Sequence, residues 1–132
     1  MEIAEYPSVI GVEIEVRAHD SNDKYTNKFS QVNGRVKREI RDVNGGRYFI
    51  VELANPVEGI RFLTVSERYA GVSIPREFSR RPDRPVVVGI GAVKDESVLN
   101  KDVFDIEEVE YFAIGEILRR GGHEDKTHKK KP

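Results

Sequence analysis

The chain has 132 residues, 38% of them apolar and 34% charged, with a net charge of −1 at neutral pH. This length suits one domain with its own core, and no apolar run approaches the ~20 residues that a membrane-spanning helix needs. The absence of cysteine excludes disulfides, thiolate zinc sites, iron–sulfur clusters and a cysteine nucleophile. Glu2 and Glu5 precede the first apolar run with no basic residue, unlike a secretory signal. With the missing cysteines, this points to a cytoplasmic protein.

The first element predicted along the chain is a strand over residues 8–18. Ile10, Val12, Ile14, Val16 and Ala18 alternate with Gly11, Glu13, Glu15 and Arg17, and period-two alternation marks a strand with one buried face. Residues 19–34, rich in Asn, Asp, Ser and Gly, read as a long loop, a feature often functional in compact domains. A hairpin follows, with strands at 35–43 and 47–54 around Asn44-Gly45-Gly46, residue types that accept positive φ at little cost. Its second strand carries Phe49, Val51 and Leu53 on one face and Tyr48 and Ile50 on the other, which places it centrally in a sheet. Asn55-Pro56 is expected to close that strand, because proline cannot donate to the ladder.

Residues 60–69 form another β-favouring run. The proline-rich stretch 70–84 leaves room for one short helical turn, with Pro75 preset for the first helical position. VVVGIGAVK at 86–94 reads as a buried strand that Gly89 and Gly91 allow to bend. Residues 103–112 alternate as a strand, and a short C-terminal helix is expected after them, ending at Arg119-Arg120-Gly121-Gly122. The expectation is a single β-barrel domain over 1–118, and a basic tail over 119–132 with no apolar side chain to order it past Gly122.

Five or six short strands with little helix suggest a mostly β protein built as a small barrel or sandwich, the small antiparallel barrel being favoured. Val88-Gly89-Ile90 and Phe104-Asp105-Ile106-Glu107-Glu108-Val109 resemble the last two strands of an OB-fold. The stretch 70–84 would stand where that family has its short helix, and the resemblance covers about residues 35–112. It implies ligand binding across the second and third strands and adjoining loops, with oligonucleotides the commonest ligand and oligosaccharides or proteins the others.

Charge is segregated along the chain. Residues 31–84 carry eleven basic against seven acidic side chains, and residues 85–118 carry two against eight. Binding single-stranded nucleic acid needs cations for phosphates and aromatic rings for bases. Arg38, Arg41, Arg47, Tyr48, Arg61, Arg68 and Tyr69, with Arg80, Arg81 and Arg84 nearby, supply both, and Tyr25 and Phe29 of the long loop would add stacking surface. The same arginines would serve equally as solvated partners of neighbouring glutamates, and the tyrosines as rims of a core. The favoured expectation is a non-catalytic domain that binds single-stranded or structured nucleic acid, without cofactor or membrane. The alternative is a protein-interaction domain or homodimer joined through the two oppositely charged segments.

Other chemistries are weaker. His123 and His128 flank Glu124 and Asp125, but glycine, lysine and proline around them disfavour the helix that would align two metal ligands. Lys129-Lys130-Lys131 suits solubility as well as polyanions. His19 beside Asp20 has no nucleophile spaced for it. Glu13 and Glu15 share a strand face at a separation seen in glycosidases, yet alternating glutamates are also the ordinary exterior of an antiparallel sheet. Neither glycine pair continues into the Lys-Ser/Thr ending of a phosphate loop.

Overall fold

The computed structural model describes residues 6–21, 28–67 and 71–121. Its elements are β1 (Glu13–Ser21), β2 (Val32–Asp42), β3 (Arg47–Val57), β4 (Ile60–Ser66), α1 (Ile74–Arg80), β5 (Val86–Val93), β6 (Val103–Phe104) and β7 (Val109–Gly121). Strands β1, β7, β5, β4, β3 and β2 pair in that order, all antiparallel, and β1 pairs with β2 to close a six-stranded barrel. Apart from the short β6, each barrel strand lies beside its neighbours in sequence, an up-and-down order. The expected mostly β, small antiparallel barrel is therefore present. Strand β6 stands outside it, parallel to the end of β2 through Arg41 and Asp42.

Closing so few strands demands strong curvature, which ladder irregularities provide. Register shifts occur at Glu13/Ile14 and Ala18/Asp20 of β1, Val36/Arg38 of β2, and Ile90/Gly91 of β5. At Gly115 of β7 the backbones of β1 and β7 nearly touch, and a Cβ there would lie 2.0 Å from the Arg17 carbonyl oxygen.

Inward residues of every barrel strand fill the interior: Ile14, Val16, Val36, Phe49, Val51, Leu63, Val65, Val88, Ile90 and Ile117 are all buried there, with Ile74 and Phe78 of α1 packed on the same core. A second apolar cluster lies on the other side of the sheet. Ile40, Tyr48, Ile50, Phe62, Val93 and Val109 are covered by Val98 and Phe104, which belong to the connection between β5 and β7. That connection carries a 3-10 turn at Glu96–Asn100. Tyr48 and Ile50 against Phe49 and Val51 give β3 the two apolar faces its sequence predicts.

The expected elements are corrected at several points. Both ends of the loop expected over 19–34 are strand, since β1 runs to Ser21 and β2 starts at Val32. The strand expected over 103–112 is broken by a 3-10 turn at Ile106–Glu108, so Val103–Phe104 and the start of β7 are separate. Residues 8–12 are not strand: Gly11 sits at φ 90° and Val12 N–H donates to the Val9 carbonyl, so the chain turns and Ile10 is exposed. Strand β3 runs through Pro56 to Val57 and meets β4 across Glu58 and Gly59, both at positive φ as a tight hairpin turn requires. Proline is tolerated there because the β3–β4 register is interrupted between Glu52 and Val57, where no ladder bond is asked of it. The C-terminal helix is absent, since β7 stays extended to Gly121 between β5 and β1. The domain accordingly continues past residue 118, with Arg119 and Arg120 in the sheet rather than in a tail. The short helical turn expected in 70–84 is α1, with Ser73 as N-cap and Pro75 in the first turn.

Candidate nucleic-acid interface

The arginines of the sheet face are held by the protein itself. Arg38 on β2 reaches across the outer cluster, donating to the carbonyls of Leu99 and Lys101, both at 2.8 Å, and to Asp102 Oδ1 at 2.7 Å. It fastens the β5–β7 connection onto the barrel. Arg41 donates to Glu39 at 3.1 Å and to the Gly45 carbonyl at 3.3 Å. Arg47 meets Glu67 at 3.1 Å and Ser73 Oγ at 3.4 Å. Because Glu67 also accepts from Ile74 N–H at 2.7 Å, Arg47 braces the start of α1. Arg61 pairs with Glu96 at 3.1 Å and lies 5.1 Å over the Phe62 ring.

The two of the expected stacking rings that lie among the described residues, Tyr48 and Phe29, are not presented to solvent. Tyr48 is buried, edge-on to Phe104 with centroids 4.9 Å apart, so the outer face of β3 is occupied by the chain's own connection. Phe29 is fully buried against Phe112 at 5.3 Å and is a core residue rather than a loop surface. Arg68, Tyr69 and Tyr25 lie outside the described residues, as do His123, His128 and the lysine run.

Charge segregation is met within the chain as well. Arg38–Asp102 and Arg61–Glu96 each join the arginine-rich segment to the acidic one, so these two arginines are not part of an open basic patch.

The remaining arginines are arranged differently. α1 ends at Arg80. Arg81 caps it by donating its N–H to the Glu77 carbonyl at 2.8 Å, and the chain turns so that Arg84 N–H reaches the Arg81 carbonyl at 3.0 Å. Arg80, Arg81 and Arg84 are all exposed, and Arg76 stands four residues before Arg80 on the same helix, one turn away. Among the described residues none of these four makes an ion pair with a carboxylate. They outnumber Glu77 and Asp83, the acidic residues of 74–84. Alongside runs a cleft of about 220 Å³ between the N-terminal segment and α1, lined by Pro7, Pro75, Phe78, Ser79 and Pro82, with Arg119 of β7 in its wall.

Sequence reading found Arg80, Arg81 and Arg84 but missed Arg76 and Arg119. The i, i+4 spacing of Arg76 and Arg80 was visible and would have placed them together once 74–80 was taken as helix. Arg119 falls in the stretch that reads as a tail, and only its place in β7 brings it to the cleft.

Acid–base chemistry finds little footing in the paired glutamates. Glu15 is 2% exposed on the outer side of β1, accepting from Arg120 and from Arg17 Nε at 2.7 Å. The hydrogen bond from Arg120, followed by that from Arg17, holds its carboxyl below the usual carboxylate range. Glu13 is paired with Arg35. A carboxylate so stabilised as the anion is a poor general acid. His19 lies 3.3 Å from Glu116, and among the described residues no three potential metal ligands gather.

Comparison of the chain with protein-family models, with curated proteins and with solved structures finds no match.

Proposed function

We propose that the chain is a non-catalytic nucleic-acid-binding barrel whose binding face is α1 and the turn after it, rather than the β2–β3 sheet. The observation that carries this reading is the contrast between two arginine groups. Arg38, Arg41, Arg47 and Arg61 already hold carboxylates and carbonyls, whereas Arg76, Arg80, Arg81 and Arg84 follow one another along α1 and the turn after it without described ion-pair partners. Unpaired guanidinium forks suit bidentate contact with phosphate oxygens. The OB-like likeness supports the reading only through barrel size and closure, since OB-folds order their strands as a Greek key and this barrel runs up and down.

The test is a titration of a fluorescent ~20-nucleotide single strand in low salt. Four phosphate contacts correspond to a slope of about −3 in log affinity against log salt. Absence of binding at ~50 mM salt and micromolar protein, where phosphate contacts are strong, overturns the reading.

A protein partner or second copy is the alternative, and a different face favours it. On the outer side of β5 and β7, Val87 is 51%, Tyr111 43% and Ile114 39% exposed, beside Gly89 and Gly91, which add no side chains. Concentration-dependent sedimentation that Ile114→Lys abolishes would support that alternative.

A further inference from the structure

We infer that the cleft beside α1 receives one unpaired base of the bound strand, which makes the site selective for single-stranded over duplex nucleic acid. This rests on the arginine-cluster reading and adds a subsite to it.

Size sets the first limit. At about 220 Å³ the cleft is smaller than the roughly 300–1,000 Å³ of pockets that enclose drug-sized ligands. It has room for a ring system, not for a whole nucleotide. Its walls suit such a ring, with Pro7 on one side and Pro75, Phe78 and Pro82 on the other. Proline is one of the rigid apolar residues that proteins set against unstacked bases, and it offers no N–H that would need a partner when covered.

The polar groups converge from two directions. The Ser79 hydroxyl and the Arg119 side chain line the cleft, in reach of the edge of an inserted ring. Pro75, Phe78 and Ser79 fall along one stripe of α1, and Arg76 and Arg80 follow Pro75 and Ser79 by one residue each. They therefore stand about 100° round the helix from that stripe. A strand whose phosphates follow Arg76 and Arg80 passes the mouth of the cleft and can turn a base into it. The partner's charge is thus complementary to the rim and its ring to the floor. Bases in a duplex are stacked and paired, and turning one out adds a cost that a single strand does not bear.

The experiment compares three probes of equal length with the full chain by fluorescence anisotropy: oligothymidylate, an abasic phosphodiester strand and a duplex. Wild-type protein is expected to bind oligothymidylate about tenfold tighter than the abasic strand, the effect of one stacked base, and tighter than the duplex. Ser79→Trp, at an exposed position, fills the cleft and should bring oligothymidylate down to the abasic level while leaving abasic binding unchanged. Circular dichroism checks that the variant is folded, and Ser79→Phe repeats the block if it is not. Equal binding of oligothymidylate and the abasic strand by the wild type overturns the base pocket but leaves the arginine cluster as a phosphate site. Unchanged oligothymidylate binding by the blocked variant overturns it as well. If no probe binds the wild type, the arginine reading falls and the pocket with it.

Discussion

Tyr48 of β3 and Phe104 of β6 meet edge to face, their ring centroids 4.9 Å apart at an interplanar angle of 88°. Edge-to-face pairs gain from the ring quadrupoles beyond the area they bury. The residues are far apart in sequence, and their contact lays the β5–β7 connection over the sheet that an OB-like binder would offer to its ligand. This barrel is therefore filled inside by one cluster and covered on part of its outside by another.

Phe104→Ala should remove the lid's anchor. A loss of about 3–5 kcal/mol is expected for an aromatic truncated in a packed site, with Tyr48 becoming accessible to a collisional quencher. Urea denaturation together with tyrosine fluorescence measures both. An unchanged midpoint would mean that the connection adds nothing to the barrel.

Arg38 is the polar counterpart of that anchor, tying Leu99, Lys101 and Asp102 to β2. Arg38→Ala is expected to cost about 1–3 kcal/mol, since hydrogen bonds from a charged donor are worth more than neutral ones but this one is partly solvated. Arg38→Lys should recover little, because an ammonium cannot span two carbonyls and a carboxylate in a planar fork. Amide exchange should accelerate across 94–104 in both variants and stay slow in β5. Uniform acceleration throughout would show a global role instead.

Glu15 gives a pH dependence with a definite sign. Its folded carboxyl titrates below the ordinary carboxylate value, chiefly through the Arg120 hydrogen bond. Its contribution is thus complete above the unfolded value and is lost as pH falls through the folded one. Wild-type stability should decline below about pH 4.5, the ordinary glutamate value. Glu15→Gln should be less stable at pH 7 by about 1–2 kcal/mol, given that both arginines are solvated, and the gap should narrow in acid. Thermal melts at pH 7 and pH 3 decide it, and a gap that widens in acid would contradict this account.

Much of the barrel is legible in the sequence because its determinants are local. Val12 to Ala18 alternate, Asn44-Gly45-Gly46 marks a turn where Asp42 accepts from Asn44 and Gly46 N–H, and Pro75 announces α1. The C-terminal strand is obscured by arithmetic: Ala113 and Ile117 are spaced by four, which fits one face of a helix and also one face of a strand. Pairing with β1 and β5 on both sides decides for the strand, and that is a long-range fact.

The candidate site was less legible for the same reason. An arginine's sequence context does not reveal whether a carboxylate waits across the fold. Arg61 and Arg84 look alike in the chain, yet Glu96 pairs with one and no described carboxylate pairs with the other. Tyr48 reads in the chain as a stacking ring or a rim tyrosine alike, and only the fold shows that Phe104 covers it. The arginines of α1 are adjacent in sequence and stay adjacent in space, so that half could be read directly.

The most direct measurement sets the two arginine groups against each other. Arg80→Ala with Arg84→Ala and Arg41→Ala with Arg61→Ala each remove two cations, and each pair is assayed with the same single strand across a salt series. The helix-end pair should lose about tenfold or more in affinity and flatten the salt slope by about 1.4, the share of two phosphate contacts. The sheet-face pair should bind nearly as wild type. The reverse ranking would contradict the account and return the ligand to the sheet.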